Sequence, residues 1–92
     1  MPLFAIVAQD RPDAGSLRAD TRPRHLVHLE GIVPQTVVAG PTLGESGAPT
    51  GSIIIADFAD LAAAQAFAAA DPYAQAGLFA SVAVSAFRQV FP

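Results

Sequence analysis

The sequence predicts an α+β domain in βαββαβ order, with one four-stranded antiparallel sheet and two helices on one of its faces. Three observations carry this. Two short apolar runs, Leu3 to Ala8 and Ser52 to Ala56, are rich in strand formers and too short for core helices. Two longer stretches, from about Asp20 to Glu30 and from Leu61 to Ala70, carry helix caps at their starts and breakers at their ends. At 92 residues the chain has material for one domain with a modest core.

The elements follow in order. Leu3-Phe4-Ala5-Ile6-Val7-Ala8 is the first strand, and the polar group Gln9-Asp10-Arg11-Pro12 ends it. Pro12 to Ser16 contains Pro, Asp, Gly and Ser, which mark a loop. The first helix is expected to start near Asp20 or Thr21, because either can cap it and Pro23 is tolerated only in a first turn. Gly31 stops it. Thr36 to Ala39 is the second strand, closed by Gly40-Pro41, and Thr42 to Gly51 is read as a loop. Ser52 to Ala56 is the third strand. Asp60 caps the alanine-rich second helix, Leu61 to Ala70, and Asp71-Pro72 ends it, since a residue before proline avoids the helical region. A short helical turn, Pro72 to Ala76, leads through Gly77 to the last strand, Ser81 to Phe87.

Two helices cover only one face of such a sheet, and an open, wet face calls for alternation of apolar and polar residues. The first and third strands do not alternate: Phe4, Ala5, Ile6 and Val7 are all apolar, as are Ile53, Ile54 and Ile55. A second copy of the sheet against the open face satisfies both, so a homodimer is expected.

Composition narrows the function. The chain is 52% hydrophobic and 14% charged, against roughly 25% charged in an average domain. Nucleic acid and anionic membranes both call for a basic face, which a net charge of −3 does not suggest. The apolar runs are far short of a membrane span. No basic lead with a long apolar run and cleavage site is visible, so a cytoplasmic protein is expected. Without cysteine there is neither a disulfide framework nor thiolate chemistry.

Few side chains can do acid–base work. There are two histidines, one tyrosine and no tryptophan. His25 shares a helix face with Leu29 and Ile32, at offsets of four and seven, so its ring points to the apolar side. Such a histidine is often a hydrogen-bonded core residue, yet histidine is also the side chain best suited to move protons near neutral pH. His28 is three residues on, with no Cys or carboxylate cluster to complete a metal site, and reads as a surface residue. Asp71 before Pro72 is the ordinary start of a short helix. Its carboxylate has acceptor capacity left to orient a histidine as well. Arg18, Arg22 and Arg24 surround His25, and cations near a helix start make sense beside an anion, such as a substrate carboxylate. Tyr73 can donate to a ligand or simply pack, and Ser52 offers a hydroxyl. Gly44 and Gly47 do not join a strand to a helix, so no phosphate loop is present.

At these residues the chain resembles the YciI-like family over nearly its whole length. The resemblance rests on Ala8-Gln9-Asp10 after the first strand, Arg22-Pro23-Arg24-His25-Leu26, Ala39-Gly40-Pro41 and Gly51-Ser52. It continues through Asp71-Pro72-Tyr73, Ala76-Gly77-Leu78-Phe79 and the terminal Phe87-Arg88-Gln89-Val90-Phe91. It implies a single domain over residues 1–92, a ferredoxin-like fold that pairs through its sheets into a dimeric α+β barrel, and a cleft holding a His–Asp pair, here His25 and Asp71. The wider superfamily includes muconolactone isomerase-like proteins, and one YciI-like relative is a dehydrochlorinase of a chlorinated hydroxyquinol. The connections from Leu29 to Thr36 and before Gly51 are shorter here than in longer members, a change expected to alter the cleft mouth, so a relative's substrate is not carried over.

The expectation is a small cofactor-independent enzyme without a metal, in which His25 is general base or acid and Asp71 orients it. Arg18, Arg22, Ser52 and Tyr73 would hold a small anionic, aromatic-derived substrate undergoing elimination or isomerisation. The competing reading is a non-catalytic binding, regulatory or accessory module that uses the same cleft.

Overall fold

The computed structural model describes residues 2–92. Strand β1 (Leu3–Asp10) is followed by helix α1 (Leu17–Glu30), a 3-10 turn (Val33–Gln35), β2 (Thr36–Leu43), β3 (Pro49–Asp57), α2 (Leu61–Ala70), the short α3 (Pro72–Gln75) and β4 (Phe79–Phe87). The four strands form one sheet in the order β2-β3-β1-β4, with every adjacent pair antiparallel. This is the ferredoxin-like arrangement of the α+β class. Among the described residues no helix is long and apolar enough to cross a membrane.

The pleat sorts the doubly apolar strands onto two faces. Phe4, Ile6 and Ala8 of β1, with Ile54 and Ala56 of β3, turn toward the helices and are buried. They form the core with Ile32, Phe58, Ala64 and Ala68. Leu3, Ala5 and Val7 alternate with them, and register places Val7 opposite Ile53 and Ala83, and Ala5 opposite Ile55. The other face of the sheet is therefore apolar and uncovered, with Val7 at 38% and Ile53 at 37% exposure.

Several boundaries differ from the sequence reading, and β1 itself runs on through Gln9 and Asp10, the polar group expected to end it. Helix α1 begins at Leu17, with Ser16 as the residue before it, rather than at Asp20 or Thr21. The Ser16 hydroxyl donates to the Asp20 carboxylate at 3.0 Å, so Asp20 lies in the first turn, where a negative charge suits the helix dipole. Thr21 is buried under the helix, and Pro23 lies inside it on an exposed stretch. The expected loop from Thr42 to Gly51 is mostly strand. A tight turn from Gly44 to Ala48 joins β2 to β3, closed by the Gly44 amide donating to the Ala48 carbonyl at 2.9 Å, with Gly47 at φ +87°. Pro41 is compatible with strand because β2 is an edge. Strand β4 also starts earlier, at Phe79. Gly51 has no room for a side chain: a β-carbon there would collide with the Ala8 carbonyl of the neighbouring strand.

Helix α2 packs on β1 and β4, whereas α1 leans on α3. A cleft remains between α1 and strands β2 and β3.

Candidate active site

Pro72 ends α2 by forcing Asp71 to extended backbone (φ −58°, ψ 128°), which turns its side chain onto the next helical turn. The Asp71 carboxylate accepts from the Tyr73 amide at 2.9 Å and caps α3. The same carboxylate meets Nδ1 of His25 at 2.8 and 3.0 Å through its two oxygens. Asp71 is 3% and His25 7% exposed. Two carboxylate oxygens facing one ring nitrogen require that nitrogen to carry the proton, so Nδ1–H donates to Asp71, and in the neutral imidazole Nε2 presents its lone pair. Among the described residues Nε2 has no protein partner, yet no buried side-chain nitrogen or oxygen is left unsatisfied. Nε2 is therefore reached from the cleft, which the ring borders.

The ring is held from its face as well as its edge. Tyr73, 1% exposed, stacks on it with centroids 3.9 Å apart and planes 14° from parallel. Phe79 meets Tyr73 edge-on at 5.9 Å. The Arg18 guanidinium lies over the Tyr73 ring, 4.6 Å from its centroid. Arg18 is itself fixed: Nε and Nη2 donate to the two oxygens of Asp10 at 2.8 and 2.9 Å, and Nη2 donates to the Ser52 hydroxyl at 3.0 Å. Hydrogen bonding to Asp10 holds the Arg18 guanidinium above its already high range, against the opposing effect of burial.

The structure thus brings together all six expected site residues around one cavity of about 820 Å³, with His25, Arg18, Arg22, Ser52 and Tyr73 on its lining and Asp71 behind His25. Their contacts differ in part from expectation. The anion beside Arg18 is the protein's own Asp10, and Ser52 points its hydroxyl to Arg18. Arg22 is exposed at the cleft and, among the described residues, has no ion-pair or hydrogen-bond partner. His28 is not a surface residue. It is half-buried, its Nε2–H donates to the Phe67 carbonyl at 3.0 Å and its ring stacks on Phe67 at 4.0 Å, so it fastens α1 to α2. Asp10 was not singled out as a site residue by sequence reasoning. The available signal was a carboxylate at a strand end, followed eight residues later by an arginine across a short loop. Among the described residues no cluster of three or more His, Cys, Asp or Glu is placed to hold a metal.

Burial pushes the Tyr73 phenol above its ordinary value of about 10, and the Arg18 charge only partly offsets this. A raised folded value means that the stability from keeping this phenol neutral is complete below about pH 10 and is lost as pH rises through the folded value. Tyr73 is the only tyrosine and there is no tryptophan, so phenolate absorbance reads it alone. It should titrate at higher pH in the native protein than in the urea-unfolded chain. Titration at the same or a lower pH would contradict the burial argument.

Comparison with known proteins agrees with this architecture. The model of the YCII-related domain matches residues 2–88. Protein YciI of Escherichia coli O6:H1 is 41% identical over 97 aligned residues, covering 97% of this chain and 99% of that protein. An uncharacterized protein of Haemophilus influenzae is 38% identical, covering 96% and 98%. Among solved structures, 5-chloro-2-hydroxyhydroquinone dehydrochlorinase (TftG) from Burkholderia phenoliruptrix AC1100, in complex with 2,5-dihydroxybenzoquinone, superposes with a TM-score of 0.87. It is 34% identical over 94% of this chain and 93% of its own. An antibiotic biosynthesis monooxygenase, 12% identical with a TM-score of 0.58, shares the fold alone.

Proposed function

This chain belongs to the YCII-related domain family, and from that membership together with the cleft we propose that it is a cofactor-independent acid–base enzyme acting on a small anionic, aromatic-derived molecule. The observation that carries the reading is the buried Asp71–His25 pair, which leaves Nε2 with its lone pair at the cleft and no protein partner. A dehydrochlorinase with the same fold at 34% identity supports elimination as the reaction class.

In this scheme Nε2 of His25 takes a proton from a carbon beside the leaving group. The C–H electron pair becomes a new double bond, and the leaving group departs with its own bonding pair as an anion. Asp71 stabilises the imidazolium that results, and that imidazolium returns its proton to solvent. For isomerisation the same proton goes back to a different carbon of the substrate. Positioned proton transfer of this kind contributes about 10²–10⁴-fold in rate. Arg22 supplies the cation for the substrate's negative group, since Arg18 is already neutralised by Asp10. The working unit is a homodimer formed through the open sheet face.

The test is a panel of small enols, lactones and halogenated phenols, followed by NMR in deuterated water and by halide release, with wild type beside His25→Gln. Turnover or carbon-bound deuterium uptake that disappears in His25→Gln is the expected result. Equal rates in the two proteins would remove His25 from the chemistry. Ligand-induced thermal shifts without turnover would favour the binding-module reading instead.

A further inference from the structure

The proposed chemistry uses only part of the cavity, which extends on one side past Arg18 and Ser52 to Arg11, Gly15 and Thr50 and on the other side along α1 and β2. In the part it uses, Arg18 of α1 reaches Ser52 of β3, and Arg22 and His25 follow on the next turns. Farther along α1 the lining becomes Leu26 and Leu29. The floor changes in step. Ser52 pairs with Pro41, and one pleat period on, roughly 7 Å away, Ile54 pairs with Ala39. Leu29 packs against the core cluster that contains Ile54, which closes the far end. From Arg18 and Ser52 toward Leu29 and Ile54, roof and floor therefore change in parallel from charged to apolar.

Much of the apolar part is surface without a protein partner. Strand β2 has no helix packed over it, and Ala39 and Pro41, on its helix side, stay exposed at the cleft, as does Leu26. The volume is also large for one ring. A cavity of about 150 Å³ is enough to enclose benzene, and sites of about 300–1,000 Å³ hold much larger organic ligands. At about 820 Å³ the whole cleft, its charged and apolar parts together, falls in the upper part of that range.

We infer that the physiological ligand is an amphipathic anion, with its acidic head at Arg22 and His25 and an apolar body larger than a single ring lying along Leu26, Leu29, Ala39, Pro41 and Ile54. The inference rests on the reading of the cleft as the substrate site and names the class of substrate. Arg22 is the charge complement of the head, and the exposed apolar surface of Leu26, Ala39 and Pro41, closed at its far end by Leu29 and Ile54, matches the body.

The test is calorimetric titration of the full chain with benzoate, naphthoate and biphenyl carboxylate, with biphenyl carboxamide as the uncharged control. One added methylene in an apolar pocket is worth about tenfold or more. Affinity should accordingly rise at least tenfold from benzoate to biphenyl carboxylate, and the carboxamide should bind more weakly than the acid. The rise should be lost in Ala39→Glu and in Pro41→Glu, two exposed edge-strand positions where a charge is compatible with folding. Arg22→Gln should lower affinity for the acids and not for the carboxamide. Affinities that are flat along the series, or a rise that survives both β2 variants, would overturn the inference. Repeating the series in His25→Gln separates it from the catalytic reading: the dependence on ring number should persist there even though turnover is absent.

Discussion

Asp71→Ala is expected to destabilise the fold by about 3 kcal/mol, whereas Asp71→Asn should cost under about 1 kcal/mol and still abolish turnover. The alanine variant loses the cap of α3, worth about 0.5–2 kcal/mol. It also leaves Nδ1–H of His25 without a protein acceptor in a buried place, at about 1–3 kcal/mol. In the asparagine variant Oδ1 still accepts from the Tyr73 amide, so the cap survives. The amide nitrogen, however, now occupies the place of Oδ2, 3.0 Å from Nδ1. Nδ1–H would then face a second donor there, while Oδ1, 2.8 Å away, already accepts from the Tyr73 amide. The expected resolution is a shift of the ring proton to Nε2, so that Nδ1 accepts from the new amide and Oδ1 keeps the cap. The nitrogen at the cleft then carries a hydrogen and has no lone pair to act as a base. In a serine-protease triad the same carboxylate-to-amide change costs roughly ten-thousand-fold in turnover, through the wrong tautomer. Urea denaturation measures the stabilities, and nitrogen-15 NMR of the His25 ring measures the tautomer. An Asp71→Asn protein with Nδ1 still protonated would reduce Asp71 to a helix cap.

Val7→Lys should convert a dimer to a folded monomer. Val7 lies at the centre of the open sheet face, flanked across the strands by Ile53 and Ala83, with Ala5 and Ile55 beside them. A stable protein–protein interface buries about 800 Å² on each partner, and apolar surface contributes about 25 cal/mol for each Å² before the costs of association. An apolar sheet face supplies surface of that kind. In the monomer Val7 is 38% exposed, so a lysine there keeps its ammonium in water and the fold is tolerated. In a two-fold sheet-to-sheet dimer the same position is buried, and two ammonium groups enter the interface together without partners, which costs several kcal/mol. Light scattering at micromolar concentration should give a dimer for wild type and a monomer for Val7→Lys, with the same far-ultraviolet circular dichroism. A monomeric wild type with the fold intact would remove the dimer from the proposal.

How far the sequence could be read depended on the range of each interaction. The order of elements and the ends of α2 were legible because they follow from local rules. Asp60 donates nothing and accepts the Ala63 amide at 2.8 Å, as its place before an alanine-rich run requires, and Asp71-Pro72 stops the helix where proline sterics demand. The doubly apolar strands were legible too, since a period of two assigns alternate residues to opposite faces. The start of α1 was not. Its first turn is held by Arg18 reaching back to Asp10 and across to Ser52, a non-local arrangement that outweighs the local preference for Asp20 or Thr21 as cap. The reach of β2 and β3 was missed for a similar reason: Pro41, Gly44 and Gly51 read as loop signals, but an edge position, a tight turn and a close approach to Ala8 accommodate each of them.

The sequence by itself determined that this chain folds as βαββαβ and that its acid–base chemistry rests on very few side chains, because composition and periodicity are properties of the chain alone. Only the tertiary structure decided how those side chains divide the work. Asp10 neutralises Arg18, Arg22 is left at the cleft, His28 joins two helices, and Tyr73 lies on the face of His25. Long side chains from distant elements have several partners within reach, and sheet register together with helix placement selects among them.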